Sequence, residues 1–513
     1  MGKELSRRII DSIIRGEVTD RAQVQRMKVK LAGEYGLKAV PQNSEILAAA
    51  EKEELKAVIP LLQRKPVRTI SGVAVVAVMT SPHPCPHGKC IYCPGGVETG
   101  SPQSYTGKEP AARRALRNDF DPFRQVSDRI TQLAAIGHRT DKIDLIIMGG
   151  TFTSRDPGYQ EWFVRRCFDA MNGKDSESIE EAQSLNSAAE HRCIGMTVET
   201  RPDVFTEDQI RNAMRLGATR VELGVQILDD DILKAVNRGH GIREVIRATA
   251  DCKRHGLKVC YHVMPGLPGS SDEKDIASFG RMFADPDFRP DMLKFYPTLV
   301  IPGTELYGLW ASGKYIPYDT EQGISVISRM KSMVPEYVRI QRIQRDIPVQ
   351  QIAAGIMKSN LRELAQERLY GNGKECRCIR CREVGQNDIS LDDPSLITMK
   401  DTEYQASGGI EHFISLEYDD MLIGYVRLRL DDDTASVREL KVFGKMAALG
   451  EQGEDWQHRG FGRQLMARAE ELAAHAGKKR MRVTAGVGVR EYYAQMGFML
   501  ASPYMEKEIN ASR

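Results

Sequence analysis

Three cysteines fall within nine residues, Cys85-Pro-His-Gly-Lys-Cys90-Ile-Tyr-Cys93. Three thiolates can hold three irons of a cubane cluster and leave the fourth iron open to a small ligand. Zinc is the competing use of such a loop, with His83 or His87 supplying a fourth ligand. Position separates the two readings. The loop directly follows an apolar segment, residues 72–79, that reads as a strand, and a strand end at a barrel mouth is where reactive groups sit. A second trio, Cys376, Cys378 and Cys381, lies in a basic stretch, and its spacing suits zinc with one ligand missing from the local sequence. A second iron–sulfur cluster is the weaker reading there. Cys167, Cys193, Cys252 and Cys260 stand singly in helix or strand text and read as buried small hydrophobes.

Tyr92, an aromatic just before the last cysteine of the loop, strengthens the iron reading, and the segment resembles the cluster loop of radical S-adenosylmethionine (SAM) enzymes with one extra residue between its first two cysteines. That resemblance implies roles for several strand-end residues. Gly149 and Gly150, in Met148-Gly-Gly-Thr-Phe152, would let the backbone approach the SAM amino group. Glu199 would accept from the ribose, while Arg220 and Gln226 would meet the carboxylate and adenosine, although strand-end Glu and Arg also commonly pair with each other. Met264-Pro-Gly-Leu-Pro-Gly269 offers a tight turn for an adenine.

A second signal lies far downstream. Gln457-His458-Arg459-Gly460-Phe461-Gly462 precedes an amphipathic helix and resembles the loop with which GNAT-type acetyltransferases cradle the coenzyme A pyrophosphate on backbone N–H groups and a helix N-terminus. Residues 413–418, 422–430 and 436–443 read as strands, with 438–443 able to pair with the pantetheine arm, and residues 489–498 resemble the closing helix and strand of that fold. Tyr493, and less so Tyr492, is placed to protonate a departing thiolate or hold the thioester. The alternative is a packed tyrosine pair at a helix end.

These residues need a scaffold, and the text between them supplies one. Apolar segments at 72–79, 143–148, 193–199, 219–225, 258–264, 292–296 and 338–343 alternate with helix-length amphipathic segments, which implies parallel βαβ units and hence a barrel or part of one. The chain has 513 residues, which predicts roughly three domains. Residues 1–66 read as a helical basic segment, 67–345 as the barrel, 346–394 as a connector carrying the second cysteine trio, and 395–513 as a strand-rich acetyl-CoA-binding domain. The fold class is therefore α/β: a partial TIM-type barrel plus a GNAT-type domain, with a helical N-terminal segment.

Composition agrees, with hydrophobic residues at 41% and charged residues at 28%, which excludes collagen-like, mostly disordered and membrane-embedded classes. The longest apolar run, 73–79, is far short of a membrane span, and with no signal-peptide text at the N-terminus the expected location is a reducing cytoplasm. Lys+Arg 72 against Asp+Glu 70 leaves a net charge of only +2, but the charge is segmented: residues 1–68 carry +5, residues 339–382 carry +6 and residues 383–455 carry −11. Such segmentation favours an anionic partner at particular places, although solvated helix faces would give the same count.

The pairing of a radical SAM barrel with an acetyltransferase domain is rare. Together with Val198-Glu-Thr-Arg-Pro-Asp203, Asn237-Arg-Gly-His240, Tyr296-Pro-Thr-Leu-Val300 and Ile343-Gln-Arg-Asp-Ile-Pro348, it resembles the catalytic subunit of the Elongator complex over roughly residues 20–510, in the archaeal or bacterial branch. The resemblance implies a tRNA-modifying enzyme that places a carboxymethyl group on C5 of the wobble uridine, position 34, with acetyl-CoA as carbon donor and a 5′-deoxyadenosyl radical made from SAM by a [4Fe–4S] cluster. It implies Cys85, Cys90 and Cys93 as cluster ligands, and Cys90 and Tyr493 as catalytic. It places acetyl-CoA on Glu439, Leu440, Lys441, Val442, Gln457, Gly460, Phe461, Gly462, Arg463, Tyr492 and Tyr493, with Lys142 reaching it from the barrel side.

Zinc at Cys376, Cys378 and Cys381 is found in some relatives only. An RNA substrate gives the charge segments meaning: Arg21, Arg26, Lys28, Lys30, Arg339, Arg342 and Arg345 would bind phosphates flanking a splayed anticodon loop. Two other classes stay open, a protein (histone-type) lysine acetyltransferase whose cluster is structural and whose base would be Glu439, and a non-catalytic tRNA-binding scaffold. The electron donor, the tRNA species, a homodimer and accessory subunits are left open by the sequence.

Overall fold

The computed structural model describes residues 2–37, 39–63, 69, 72–386, 393–443 and 460–509. Four helices open the chain, Gly2–Ile14, Arg21–Glu34, Asn43–Leu47 and Leu55–Leu62. Leu5, Ile9 and Ile13 recur every four residues, so they form one stripe, and they pack on Val24, Leu31, Ile46 and Val58 in a small core of their own. Asp20 starts the second helix by accepting from the Gln23 backbone N–H.

Seven strands follow: β1 (Ala74–Met79), β2 (Lys142–Met148), β3 (Arg192–Thr200), β4 (Arg220–Gln226), β5 (Lys258–Val263), β6 (Met292–Phe295) and β7 (Arg339–Ile343). They pair in chain order and all in parallel, with helices between them, and β7 does not return to β1 among the described residues. The barrel is thus open. Period-two alternation divides the two faces. On β4, Val221, Leu223 and Val225 enter the apolar core beneath the helices, as do Val259, Tyr261 and Val263 on β5 and Leu293 and Phe295 on β6. The intervening residues, Glu222, Gly224 and Gln226 on β4 and His262 on β5, line an internal cavity instead.

The second sheet holds β8 (Thr398–Ala406), β9 (Gly409–Tyr418), β10 (Met421–Leu430), β11 (Thr434–Val442), β12 (Arg480–Val483), β13 (Met499–Ala501) and β14 (Tyr504–Glu508), ordered β13-β14-β12-β11-β10-β9-β8. β8 to β11 form an antiparallel meander, and the helix Phe461–His475 carries the chain to β12, which pairs with β11 in parallel. That pairing covers only Thr434–Val437 against Arg480–Val483. β12 ends there, so among the described residues one backbone edge of Glu439–Val442 has no strand partner.

This sheet packs across the N-terminal ends of the barrel strands. Arg438 of β11, fully buried, donates to Asp291, which immediately precedes β6, at 2.7 Å, to Glu411 of β9 at 2.7 Å and to the Leu257 carbonyl, just before β5, at 2.9 Å. The turn Ala485–Gly488 lies against the start of β3 so closely that a Cβ on Gly486 would stand 2.0 Å from the Ile194 carbonyl oxygen. No helix among the described residues is long and apolar enough to cross a membrane.

Candidate active site

The three-cysteine loop leaves β1 and closes over the C-terminal strand ends. Each thiol is held by a different part of the fold. Cys85 Sγ is 3.2 Å from Thr151 Oγ1, Cys93 Sγ accepts from the Ser104 backbone N–H at 3.1 Å, and Cys90 Sγ lies 3.2 Å from His87 Nε2 and 3.7 Å from the Arg238 guanidinium. Burial pushes the Cys85 and Cys93 thiols up, so both are protonated until a metal displaces the proton.

A single tetrahedral zinc with ~2.3 Å bonds would draw three sulfurs to roughly 4 Å of one another. Among the described residues, only Cys376, Cys378 and Cys381, and separately Glu222, Cys260 and His262, gather donor atoms within 4.8 Å. The wider spread of Cys85, Cys90 and Cys93 suits separate irons of a cluster, and the arginines facing them suit its negative charge. The donor set fits a [4Fe–4S] cluster on these grounds.

The cavity beside the loop is lined by Cys85 and Tyr92, by Gly150 and Glu199, and by Arg201, Gln226 and Arg238. Gly149 has φ 139, and a Cβ there would fall 2.0 Å from Thr80 Oγ1, so only glycine permits this turn. Gln226 sits at φ 73 with Oε1 buried and unpartnered. Backbone strain and a free buried polar atom at one rim mark a binding site. Glu199 accepts from the Tyr105 hydroxyl at 2.6 Å. The rim therefore fits SAM, with acceptors, donors and open backbone in one place.

Arg220 does not reach this rim. It begins β4, at the far end of the strand, and its guanidinium is 2.9 Å from the Asp144 carboxylate. The arginines beside the cysteine loop are Arg201 and Arg238, which sequence reasoning missed although both stand in motifs singled out there. Arg201 binds Asp203 at 2.9 Å and His87 at 2.8 Å, while Arg238 donates to the Gly224 carbonyl at 2.6 Å. Deeper in, Glu222, His262 and Lys294 form a buried cluster that the sequence also did not signal, because isolated charges in apolar strands look like ordinary edge residues.

The basic residues expected on RNA divide. Arg342 and Arg345 line the cavity mouth, Arg345 standing 5.7 Å from the Tyr105 ring centre and 5.8 Å from that of Tyr296. Arg21, Arg26 and Lys30 are exposed on the second helix. Lys28 is instead buried, its ammonium 2.7 Å from Asn43 Oδ1, because it packs between the helices of the N-terminal core. Arg339 begins β7, at the wrong end of the barrel, and pairs with the buried carboxylate of Glu383. Neither of these two faces a ligand.

At the opposite end of the barrel, Glu439–Val442 border the gap between β11 and β12. Gly460, at φ 82, opens the helix Phe461–His475, whose first N–H groups have no helical acceptor. Gln457 lies outside the described residues. Gly462 is pressed against Tyr492, since a Cβ there would be 2.4 Å from the phenol oxygen and 3.8 Å from Leu440, and Arg463 is exposed beside them. Tyr493 is buried, 5.4 Å from the Tyr492 ring and 6.2 Å from Phe498. Burial raises its hydroxyl, as do Tyr492 and Glu439, so it stays protonated.

Lys142 opens β2 beside Arg192, which the Gly488 turn touches, and its ammonium forms no ion pair among the described residues. The open strand edge, the helix N-terminus and a nearby free cation fit coenzyme A. The Cys376, Cys378 and Cys381 sulfurs converge beside β7, with no fourth Cys, His, Asp or Glu in their group among the described residues.

Four family models match the chain: ELP3 N-terminal domain at residues 3–70, Radical SAM superfamily at 81–280, Radical SAM C-terminal domain at 290–370 and Acetyltransferase (GNAT) family at 384–498. A protein of Methanocaldococcus infernus named tRNA uridine(34) acetyltransferase is 50% identical, covering 99% of this chain and 100% of that protein. Human Elongator complex protein 3 is 41% identical, covering 94% of this chain and 93% of that protein. The solved structure of the archaeal Methanocaldococcus infernus Elp3 with an N-terminal deletion aligns with a TM-score of 0.76 at 48% identity, over 86% of this chain and all of that one.

Proposed function

The chain belongs to the Elongator complex protein 3 family, and from that premise we propose that it modifies the wobble uridine of tRNA, position 34, placing on C5 a carboxymethyl group whose carbons come from acetyl-CoA. The observation that carries the reading is the joining of two unlike sites by one set of strands: a three-thiol loop with a SAM-type rim at the C-terminal ends, and a coenzyme-A-type gap locked across the N-terminal ends by Arg438. The cluster and SAM, when bound, supply the one-electron chemistry needed to open an acetyl C–H bond.

The chain's own residues then have these roles. Cys85, Cys90 and Cys93 hold the cluster, and Gly149, Gly150, Glu199 and Gln226 hold SAM. Lys142, Glu439 to Val442, Phe461, Gly462, Arg463 and Tyr492 hold acetyl-CoA, and the protonated Tyr493 hydroxyl meets the departing thiolate. Arg342 and Arg345 at the mouth, with Arg21, Arg26 and Lys30 on the N-terminal helices, hold tRNA phosphates. The division into a tRNA-binding segment (1–66), radical barrel (67–345), connector (346–394) and acetyl-CoA domain (395–513) follows from these roles. Cys376, Cys378 and Cys381 hold a structural zinc whose fourth ligand comes from elsewhere. An external electron donor is required.

Amine acetylation is disfavoured by one feature. Its candidate base, Glu439, accepts from Arg427 at 3.0 Å, and although burial raises its carboxyl, Lys258, Arg427 and Lys441 outweigh burial and bring it down to about 2. So weak a base does not deprotonate an ammonium. Anaerobic reconstitution with tRNA, SAM, reductant and acetyl-CoA, read by nucleoside mass spectrometry, should yield 5-carboxymethyluridine from the native chain and none from Cys90→Ser. Acetylation of a lysine peptide without SAM would instead support the acetyltransferase reading, and tRNA binding with neither SAM cleavage nor acetyl-CoA hydrolysis the scaffold.

A further inference from the structure

Parallel barrels ordinarily fill their interior with layers of branched apolar side chains. Here three adjacent strands carry Glu222, His262 and Lys294 inward. The register places them together, since Glu222 is opposite Cys260 on β5, and His262, two residues on, is opposite Lys294 on β6. Glu222 is fully buried and collects both neighbouring side chains on one oxygen: His262 Nε2 lies 2.8 Å from Oε2, and Lys294 Nζ donates to the same atom. Its other oxygen, Oε1, has no partner.

A buried carboxylate oxygen with nothing to accept from loses its hydration and gains nothing in return. Burial does push this carboxyl up, but Lys294 and His262 outweigh burial and hold it well below the usual range, so Oε1 is a fixed anionic acceptor. A metal ion is not what it waits for, because the Lys294 ammonium already stands where a cation would bind. Glu222 and His262 line the same cavity as Cys85 and Tyr92, and the Tyr296 ring closes on His262 edge-on at 5.1 Å. The ligand that suits this arrangement carries an N–H donor for Oε1.

Resting on the uridine-modifying reading above, we propose that Glu222, held by Lys294 and His262, recognises the imide edge of the target base. Glu222 Oε1 accepts from uracil N3–H, while Lys294, which stands behind the cavity lining, and His262 hold the carboxylate in place through its other oxygen. C5 lies off that edge, so the reacting carbon stays uncovered. Cytosine carries a lone pair at N3, which would face the carboxylate oxygen with repulsion, and the site therefore selects uridine by rejection as well as by attraction. A site built to satisfy a buried polar group rejects analogues that lack the matching donor far more strongly than an apolar pocket does.

The test uses the full-length, cluster-reconstituted protein and tRNA bearing uridine, cytidine or 3-methyluridine at position 34. Dissociation constants should agree within about threefold among the three, because phosphate contacts dominate binding. Turnover of the cytidine and 3-methyluridine forms should fall at least about 100-fold below that of uridine. Glu222→Gln should lose turnover on uridine by about the same factor in kcat, with KM for tRNA little changed and the cluster absorbance retained. Should that variant fail to fold, the 3-methyluridine comparison decides without it.

Photocrosslinking of tRNA carrying 4-thiouridine at position 34 keeps N3–H and needs no turnover, and its adducts should map to peptides spanning β4 to β6. Acceptance of 3-methyluridine at near-native rate, or crosslinks wholly outside those strands, overturns the inference. Absence of carboxymethyluridine from the native chain while the crosslinks fall on β4 to β6 overturns the chemistry proposed above and leaves this recognition site standing.

Discussion

Arg345 and Lys28 carry the same charge into opposite circumstances. Arg345 stands over two aromatic rings at the cavity mouth, where a phosphate can reach it, whereas Lys28 is sealed under the N-terminal helices against Asn43. Arg345→Ala is expected to weaken tRNA binding about threefold to tenfold and to reduce the salt dependence by roughly one counterion, as read by titrations at several salt concentrations. Lys28→Ala should leave that slope unchanged and lower thermal stability by about 1–3 kcal/mol, since it removes a buried ammonium's hydrogen bond to a half-buried acceptor. Equal effects of the two variants on the salt slope would contradict the division. Composition could not make this distinction, because a lysine in a polar helix reads the same whether its face turns outward or inward.

At the scale of elements, the seven barrel strands were legible because each is a short apolar run bounded by turns, and the structure moves their ends by no more than two residues. The second sheet was legible only where it is buried. β9, β10 and β11 were anticipated, but β8 is polar and largely exposed, β12 has four residues of which two are arginines, and β13 has three exposed residues, so none of these shows a hydrophobic period. The cysteine loop was legible because its ligands are close in sequence. Arg238 and Glu222 were not, since their function arises only when strands far apart in the chain pair. The gap between β11 and β12 carries a prediction of its own. A valine at Gly462 would push against the Tyr492 phenol, the far end of a side chain that can move, and would fill space between the helix N-terminus and Leu440. Gly462→Val should therefore fold, with its melting temperature nearly unchanged, yet raise the Kd for acetyl-CoA by roughly tenfold or more, which calorimetric titration would read.

The two sheets are held in one relation, the second packed across the N-terminal ends of the barrel strands whose C-terminal ends border the cavity. That relation rests on a buried ionic cluster in which Arg438 joins Asp291 to Glu411, Arg427 reaches Asp291 at 3.6 Å, and Lys253 lies 3.4 Å from Glu411. A buried network of this kind adds little net stability compared with apolar packing, but removing its central member takes from Asp291 and Glu411 their shortest cationic partner and leaves them only the longer ion pairs to Lys253, Arg427 and Arg429. Arg438→Met is expected to cost about 3–5 kcal/mol, seen as a lower denaturation midpoint, and to separate the two activities: acetyl-CoA binding by the second sheet and SAM cleavage by the barrel persist in whatever fraction stays folded, while formation of modified uridine falls further than either. Acid should act on the same contacts. Burial raises the carboxyls of Asp291, Glu411 and Glu439, but the surrounding arginines and lysines outweigh it and hold all three below the usual range, Glu439 at about 2. The folded protein then binds fewer protons than the unfolded chain, so the stability these groups contribute is complete above about pH 5 and is lost as pH falls from about 4.5 toward 2. Hydrogen exchange across that range should show β9 and β11 losing protection together with the segment before β6, while the small core of the N-terminal helices, which uses none of these carboxylates, keeps its protection to lower pH. Simultaneous loss in all three regions would show that the ionic cluster is not what couples the sheets.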